Sequence, residues 1–504
     1  MRSSTLSLPP ARLLVTAGGL LLALVAALVV LFAPKPLNVA ILPGIVFGTI
    51  LLLVPWTGPL ALVLSIPVQE YHSVAFGGLS LTATKIALAA AVAAFVIQIV
   101  SRRESFRGSI LLVPYLAFIG AMLISLHGAV DINAGLAEIY RWTVTLVALV
   151  IALYGIRHRT AILATAVAMG LGVFFEGLLG VFQTLRDQGP ASFAITSSIS
   201  RAYGTFGKPN TFAAYFELTG PLLAALAVWS LARSIGLWRR YQIERLQGMA
   251  ASAELRRELI LHCALFLWFA GTSVISLLAI VASFSRGAWL GITAAAIAMV
   301  MLSNKRAALV VGCGAVLVTL GLVAGGASYA PTALRSRFGQ LESQVRIFNS
   351  NDVKLTDDNF ATVERMAHWQ TGIAMFDAHP FTGVGIGNFN VRFPEFAVNP
   401  SFLVSEGHAH NYYINAAAET GIIGLAAYLW LIVTGLVICL RATRRSLDPF
   451  ARAVGIGAVG VTVALIVHNV VEDLHVLNLG VQLSVVWALA IIVVRFLPDE
   501  TEPT

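Results

Sequence analysis

"LILHCALFLWFAGTSVISLLAIVASFSRGAWLGITAAAIAMVMLS" fills positions 259–303. Two apolar runs, 259–282 and 287–303, flank the short turn "SFSRGAWLG", and each is about the length a helix needs to cross a bilayer. The pattern recurs along the chain. Candidate spans run from 12–33 through to 477–495 and predict an all-α polytopic membrane protein with 12 to 14 transmembrane helices. The stretch 57–68 is too short to span alone, so 38–68 reads as a re-entrant pair or one bent hairpin. Composition agrees: the 504 residues are 58% hydrophobic and 12% charged, where a soluble domain carries about 25% charged residues. The first apolar run is too long for a signal-peptide core and reads as a retained anchor.

Lys and Arg set the expected orientation. With both termini in the cytoplasm, the inner side receives 20 of the 33 and the outer side 13. Six of the outer ones lie in the long segment 328–411, so short loops divide 20 against 7. The net charge of +8 is therefore a matter of topology, and it argues for no nucleic-acid partner. Cys263, Cys313 and Cys439 all fall in apolar runs, which excludes a disulfide or thiolate–metal framework.

One connection is long and polar. Segment 328–411, on the outer side, should contain elements of its own. "LRSRFGQLESQVRIF" at 334–348 predicts an amphipathic helix, lying on the membrane or packed on the rest of the loop. "NFATVERMAHWQTGIAMFDAHP" predicts a second helix, capped near Asn359 and stopped before Pro380. "FTGVGIGNF" follows as a glycine-rich turn whose spacing is wrong for a dinucleotide fingerprint.

The polar chemistry gathers on that side. Arg201 and Lys208 in "SRAYGTFGKPN", Arg286 in its turn, and Arg365 on the loop helix are outer cations beside glycine-rich turns. A snorkelling arginine explains any one of them. Four together suit an anionic phosphate ligand, because Arg offers it a bidentate fork and Lys a point charge. "SEGHAHNYYINAAAETGIIG" at 405–424 adds Glu406, His408 and His410, with Asn411 placed to cap the helix that re-enters the membrane. A histidine here can accept a proton from a hydroxyl. The His-x-His pair with Glu406 could instead hold a metal, or be purely structural. Gly421 and Gly424 would allow a neighbouring helix to approach closely.

These blocks carry a family resemblance. His410-Asn411, nine residues, Gly421, two residues and Gly424 resemble the signature of bacterial O-antigen ligases, and "RGAWL" at 286–290 resembles their arginine signature. "RMAHWQTGIAMFDAHPFTGVGIGNF" and "RAYGTFGKPNTFAAY" resemble further blocks of the O-antigen ligase and polymerase superfamily. The resemblance covers about 201–430 as a core, between N-terminal helices 1–200 and C-terminal helices 431–504, and the last two helices carry no matching motif. It implies a GT-C-like membrane glycosyltransferase of the bacterial inner membrane. Such an enzyme takes a glycan from undecaprenyl pyrophosphate at the extracytoplasmic face and passes it to a glycan or glycolipid acceptor such as lipid A core. It inverts the anomeric centre and uses no cofactor or metal.

In that scheme His410 deprotonates or orients the acceptor hydroxyl, and Arg286 and Arg365 hold the pyrophosphate. Arg201 and Lys208 join the anion site, and His408, Glu406 and Asn411 line the substrate side. No Asp-x-Asp pair, the usual metal ligand of many lipid-phosphate glycosyltransferases, occurs in the chain. The ligase spacing is favoured over a repeat-unit polymerase. A transporter or flippase is the alternative of another class. It is disfavoured because ionisable residues within spans are few, chiefly Glu176 and Glu217, and no internal repeat is present.

Overall fold

The computed structural model describes residues 50–51, 53–54, 56–69, 73–76, 79–102, 108–196, 199–248, 252–304, 347–356, 359–405, 407–444 and 448–495. The first expected spans, the span at 306–327 with Cys313, the amphipathic stretch 334–346 and Glu406 lie outside those residues. Among the described residues, seven helices are long and apolar enough to cross a membrane.

In chain order the helices are α1 (Thr57–Ser65), α2 (Ala83–Arg102), α3 (Leu112–Ser125), α4 (Ile132–Gly155), α5 (Arg159–Leu185), α6 (Pro209–Glu217) and α7 (Gly220–Leu246). There follow α8 (Ala253–Ala282), α9 (Arg286–Ser303), α10 (Phe360–Ala378), α11 (Phe389–Phe396), α12 (Tyr412–Thr443), α13 (Pro449–His468) and α14 (Gly480–Arg495). Among the described residues, two short antiparallel hairpins interrupt the helices: β1 (Ser73–Phe76) with β2 (Leu79–Thr82), and β3 (Ala194–Thr196) with β4 (Ile199–Ser200). The all-α polytopic class stands.

Helices dominate because backbone N–H and C=O groups in lipid must be satisfied within the segment. Polar residues at the starts close the exposed first turns. Asp131 accepts from the backbone N–H groups of Asn133 and Ala134, Ser252 from Leu255, and Asp448 from Phe450. The expected cap at Asn359 differs: α10 begins beside it, but its side-chain oxygen accepts from the N–H of Thr356 instead.

α13 is central, packing against α7, α9, α12 and α14. It and α14 are almost wholly buried, whereas α8 and α9 leave much apolar surface outward for lipid. The span expected at 210–232 is two helices: α6, a bend at Thr219, and α7 continuing far past the apolar run to Leu246. α1 is short, as its sequence requires, and is buried against α2, α4 and α5.

Gly421 serves a purpose other than helix–helix contact. Its φ of 63° and ψ of −166° break α12, a backbone conformation open essentially to glycine alone. The glycine-rich turn 381–389 docks into the break. The Val384 and Gly385 N–H groups donate to the Ala418 and Glu419 carbonyls at 2.9 and 3.1 Å, and the Ile422 N–H donates to Pro380 at 2.8 Å. The loop helix α10, which packs on α12, is thereby held against the membrane bundle.

Candidate active site

Five segments bring their ends to one place. The turn between α8 and α9 supplies Arg286, and the second turn of α10 supplies Arg365. The loop before α6 supplies Arg201 and the first turn of α6 supplies Asn210, the residues before α12 supply His408 and His410, and the connection from α13 to α14 supplies Glu472. Arg201, Asn210, Arg286, Arg365, His468 and Glu472 line a cavity of about 150 Å³.

The cavity walls are tied together by backbone. The Arg201 guanidinium donates through Nε to the Ser283 carbonyl and through Nη2 to Asn210 Oδ1, both at 2.8 Å. The Ala202 N–H donates to Ala282 at 2.9 Å. Asn210 passes the chain on, its Nδ2 donating to Glu472 Oε2. Gly287 permits the start of α9 to lie against His468, since a Cβ there would fall 2.4 Å from the imidazole. His468 is in turn bound to Glu217, Nδ1 to Oε2 at 2.5 Å, both side chains fully buried.

Glu472 is the hub. Its Oε1 lies 3.2 Å from His410 Nδ1 and 3.4 Å from His408 Nε2. Burial alone would push its carboxyl up, but His410, the His410 hydrogen bond, His408 and Arg365 together hold it well below the usual carboxylate range. An ionised Glu472 only accepts, so His410 Nδ1 carries the proton and Nε2 is the basic nitrogen. His410 Nε2 has no hydrogen bond among the described residues.

His408 differs. Its Nδ1 accepts the His410 backbone N–H at 3.1 Å, so its proton sits on Nε2, facing Glu472. Burial, the chief cause, lowers its pKa to about 4, with Glu472 opposing and His410, Lys208 and His368 adding to the fall. It is neutral at pH 7, with both nitrogens engaged. His408, His410 and Glu472 offer three ligand atoms within 4.8 Å of one another. A cation on His408 Nε2 would require the proton at Nδ1, where the His410 N–H already points, so this trio is arranged as a hydrogen-bond relay.

His410 has a φ of 52° and Phe284, two residues before Arg286, a φ of 51°. Both are left-handed, a cost of about 1–3 kcal/mol each that surrounding contacts must offset. For His410 these contacts include Trp369 Nε1, which donates to its carbonyl at 3.3 Å, and the Tyr412 N–H, which donates to the Asn469 carbonyl at 2.9 Å. The 469–475 connection is fixed from below. Asn469 Nδ2 donates to the Tyr428 hydroxyl at 2.9 Å, which also contacts His475 Nε2 at 2.9 Å, and Arg141 donates to the His475 carbonyl at 3.1 Å.

Of the residues expected from sequence, Arg201, Arg286 and Arg365 meet at the cavity, and His408 and His410 adjoin it through Glu472. Lys208 is exposed, near enough for its charge to act on His408. Asn411 is buried and caps α12, its Oδ1 accepting from the Ile414 N–H at 3.1 Å. Glu472, Asn210 and His468 were not expected at the site from sequence, and Glu217 stood out only as an acid within a span. The signal for two of them was present: "HNVVEDLH" at 468–475 is a polar cluster between two apolar runs.

Fold and site together define a polytopic helical membrane protein with an arginine-lined cavity and a carboxylate-held histidine at one end of the bundle. The family described as O-Antigen ligase matches this chain over residues 271–429, the stretch that holds Arg286, Arg365, His408 and His410. That match supports the O-antigen ligase superfamily, and with it an enzyme of the ligase or polymerase type. No curated protein matches the chain.

Proposed function

We propose that the protein transfers a glycan from an undecaprenyl-pyrophosphate donor to a hydroxyl of a surface-glycan or glycolipid acceptor, at the extracytoplasmic face of the inner membrane. The carrying observation is His410: Nδ1 held by Glu472, Nε2 available, beside a cavity lined by three arginines. In this reading the acceptor oxygen attacks the anomeric carbon from the face opposite the pyrophosphate. The new C–O bond forms as the C–O bond to phosphate breaks, the hydroxyl proton passes to His410 Nε2, and undecaprenyl pyrophosphate leaves. The imidazolium that results is stabilised by Glu472, as a buried carboxylate stabilises the histidine of other His–carboxylate pairs. Arg201, Arg286 and Arg365 neutralise charge growing on the leaving group, the type of interaction that usually contributes most to such a step.

The three guanidinium groups supply the positive charge for which other lipid-phosphate glycosyltransferases use a metal ion. Activity should therefore survive excess chelator.

The test is incubation of purified protein with lipid-linked glycan, with and without acceptor, and product analysis by mass spectrometry. A single acceptor-dependent transfer is expected. A ladder of pyrophosphate-linked chains from donor alone would make the protein a polymerase, and movement of donor without any new glycosidic bond would make it a transporter.

A further inference from the structure

α13 ends at His468, in the wall of the first cavity, and carries its other end to a second one. It is lined by Arg159 at the start of α5, the middle of α7, Glu258 and His262 early in α8, and Asp448–Phe450 at the start of α13, with a volume of about 540 Å³. The 20-residue α13 runs about 30 Å between them, so the two cavities are roughly a bilayer apart.

The lining has two characters. Trp229, Leu237 and Phe450 form an apolar wall, with the Trp229 ring 4.9 Å from Phe450 and 5.4 Å from His262. Arg233 and Arg240 share that face of α7 with Trp229 and Leu237, and Arg159 lies over the Phe450 ring, 5.4 Å from its centroid. Asp448 pairs with Arg159 at 2.7 Å and is itself buried, so that pair is internally balanced. Glu258 only approaches Arg233, at 3.7 Å between two well-exposed side chains. Positive charge therefore remains at Arg233 and Arg240, and the same helix ends add Arg239, Arg245, Arg256 and Arg257 against Glu244 and Glu254.

Beside this lining, next to His262, the apolar Leu261 of α8 is exposed. A free inorganic anion would gain nothing from the Trp229 wall or this apolar flank. A molecule with a phosphate on one end and hydrocarbon on the other would use both. We propose that the cavity binds an anionic glycerophospholipid, its phosphate on Arg233 and Arg240 and its acyl chains against the Trp229 wall and Leu261 of α8. The site is separate from the transferase cavity, and the proposal does not depend on the reaction assigned there.

The full chain, delipidated in detergent, would be titrated with phosphatidylglycerol or phosphatidylcholine and read by native mass spectrometry. Phosphatidylglycerol should be retained in preference, and Arg233→Ala with Arg240→Ala should weaken that retention by about ten-fold. Arg233→Lys with Arg240→Lys should keep most of it. Gly236→Leu tests the same cavity without changing charge: Gly236 lines it with open space where a Cβ would stand, so a leucine fills the volume and favours the helix. It should weaken retention as the alanine pair does. Equal retention by the wild type, the alanine pair and Gly236→Leu would overturn the proposal, as would equal affinity for phosphatidylcholine. Full displacement by millimolar inorganic phosphate would make this a soluble-anion site and overturn it equally.

Discussion

His408 receives the His410 N–H on Nδ1 and turns Nε2 to Glu472, whereas His410 turns Nδ1 to Glu472 and its Nε2 has no hydrogen bond among the described residues. The two are separated by Ala409, and these bonds are the basis of the different roles proposed for them. His410→Asn should lower turnover by about 10²–10⁴-fold, the usual cost of losing a general base. Asparagine tolerates the left-handed backbone at this position, so thermal unfolding should hardly move. His408→Ala should be milder in rate, and the reverse order would exchange the two roles. His408 also predicts a pH effect. Its folded-state pKa of about 4 lies below the ordinary histidine value, about 6.5. Its contribution to stability is therefore full above about 6.5 and is lost as pH falls toward 4. Asp473, raised to about 7 chiefly by burial, has a slope of opposite sign. The quantity to measure is thus the unfolding difference between wild type and His408→Asn, which should shrink from pH 7 to pH 4; a constant difference would mean His408 titrates normally.

At the scale of elements, the break in α12 and the turn 381–389 act as one joint. Gly421→Ala would place a Cβ 2.2 Å from the Phe381 carbonyl carbon, in a backbone region closed to alanine. A loss of at least about 2 kcal/mol is expected, read as a lowered unfolding temperature in detergent. Gly424→Ala, three residues on, would place a Cβ 2.2 Å from Thr420 Cβ, an atom that side-chain rotation does not move, so this variant should lose stability as well. Thr420→Gly should relieve that loss but not the loss at Gly421, where the clash is with the 381–382 backbone. A Gly421→Ala variant that unfolds with wild type would mean that Gly421 is an ordinary helical glycine.

On the scale of the whole molecule, the candidate site lies at one end of the bundle and a dense set of arginines at the other. Arginine and lysine counts predict which end is outside. Single cysteines introduced beside Arg201, Arg286 and Arg365 should all react with an impermeant thiol reagent in intact cells. One beside Arg245 should react only after permeabilisation. Labelling on opposite sides among the first three would dismantle the shared cavity.

Much of this was legible in the chain. Hydrophobic runs of bilayer length require helices whatever their neighbours, because lipid offers a backbone no hydrogen-bond partner. Cations displaced from the basic side stand out for the same reason, which is how Arg201, Arg286, Arg365 and the histidines could be read without coordinates. Tertiary structure decided what depends on distance between separate segments. Glu472 lies 62 residues from His410 in a connection with no matched motif, and only the packing of α13 on α12 brings the two within 3.2 Å. Asn210, the His468–Glu217 pair and the break at Gly421 belong to the same kind of information. A hydrogen bond is specified by where two groups meet, and a linear pattern records only that each is polar.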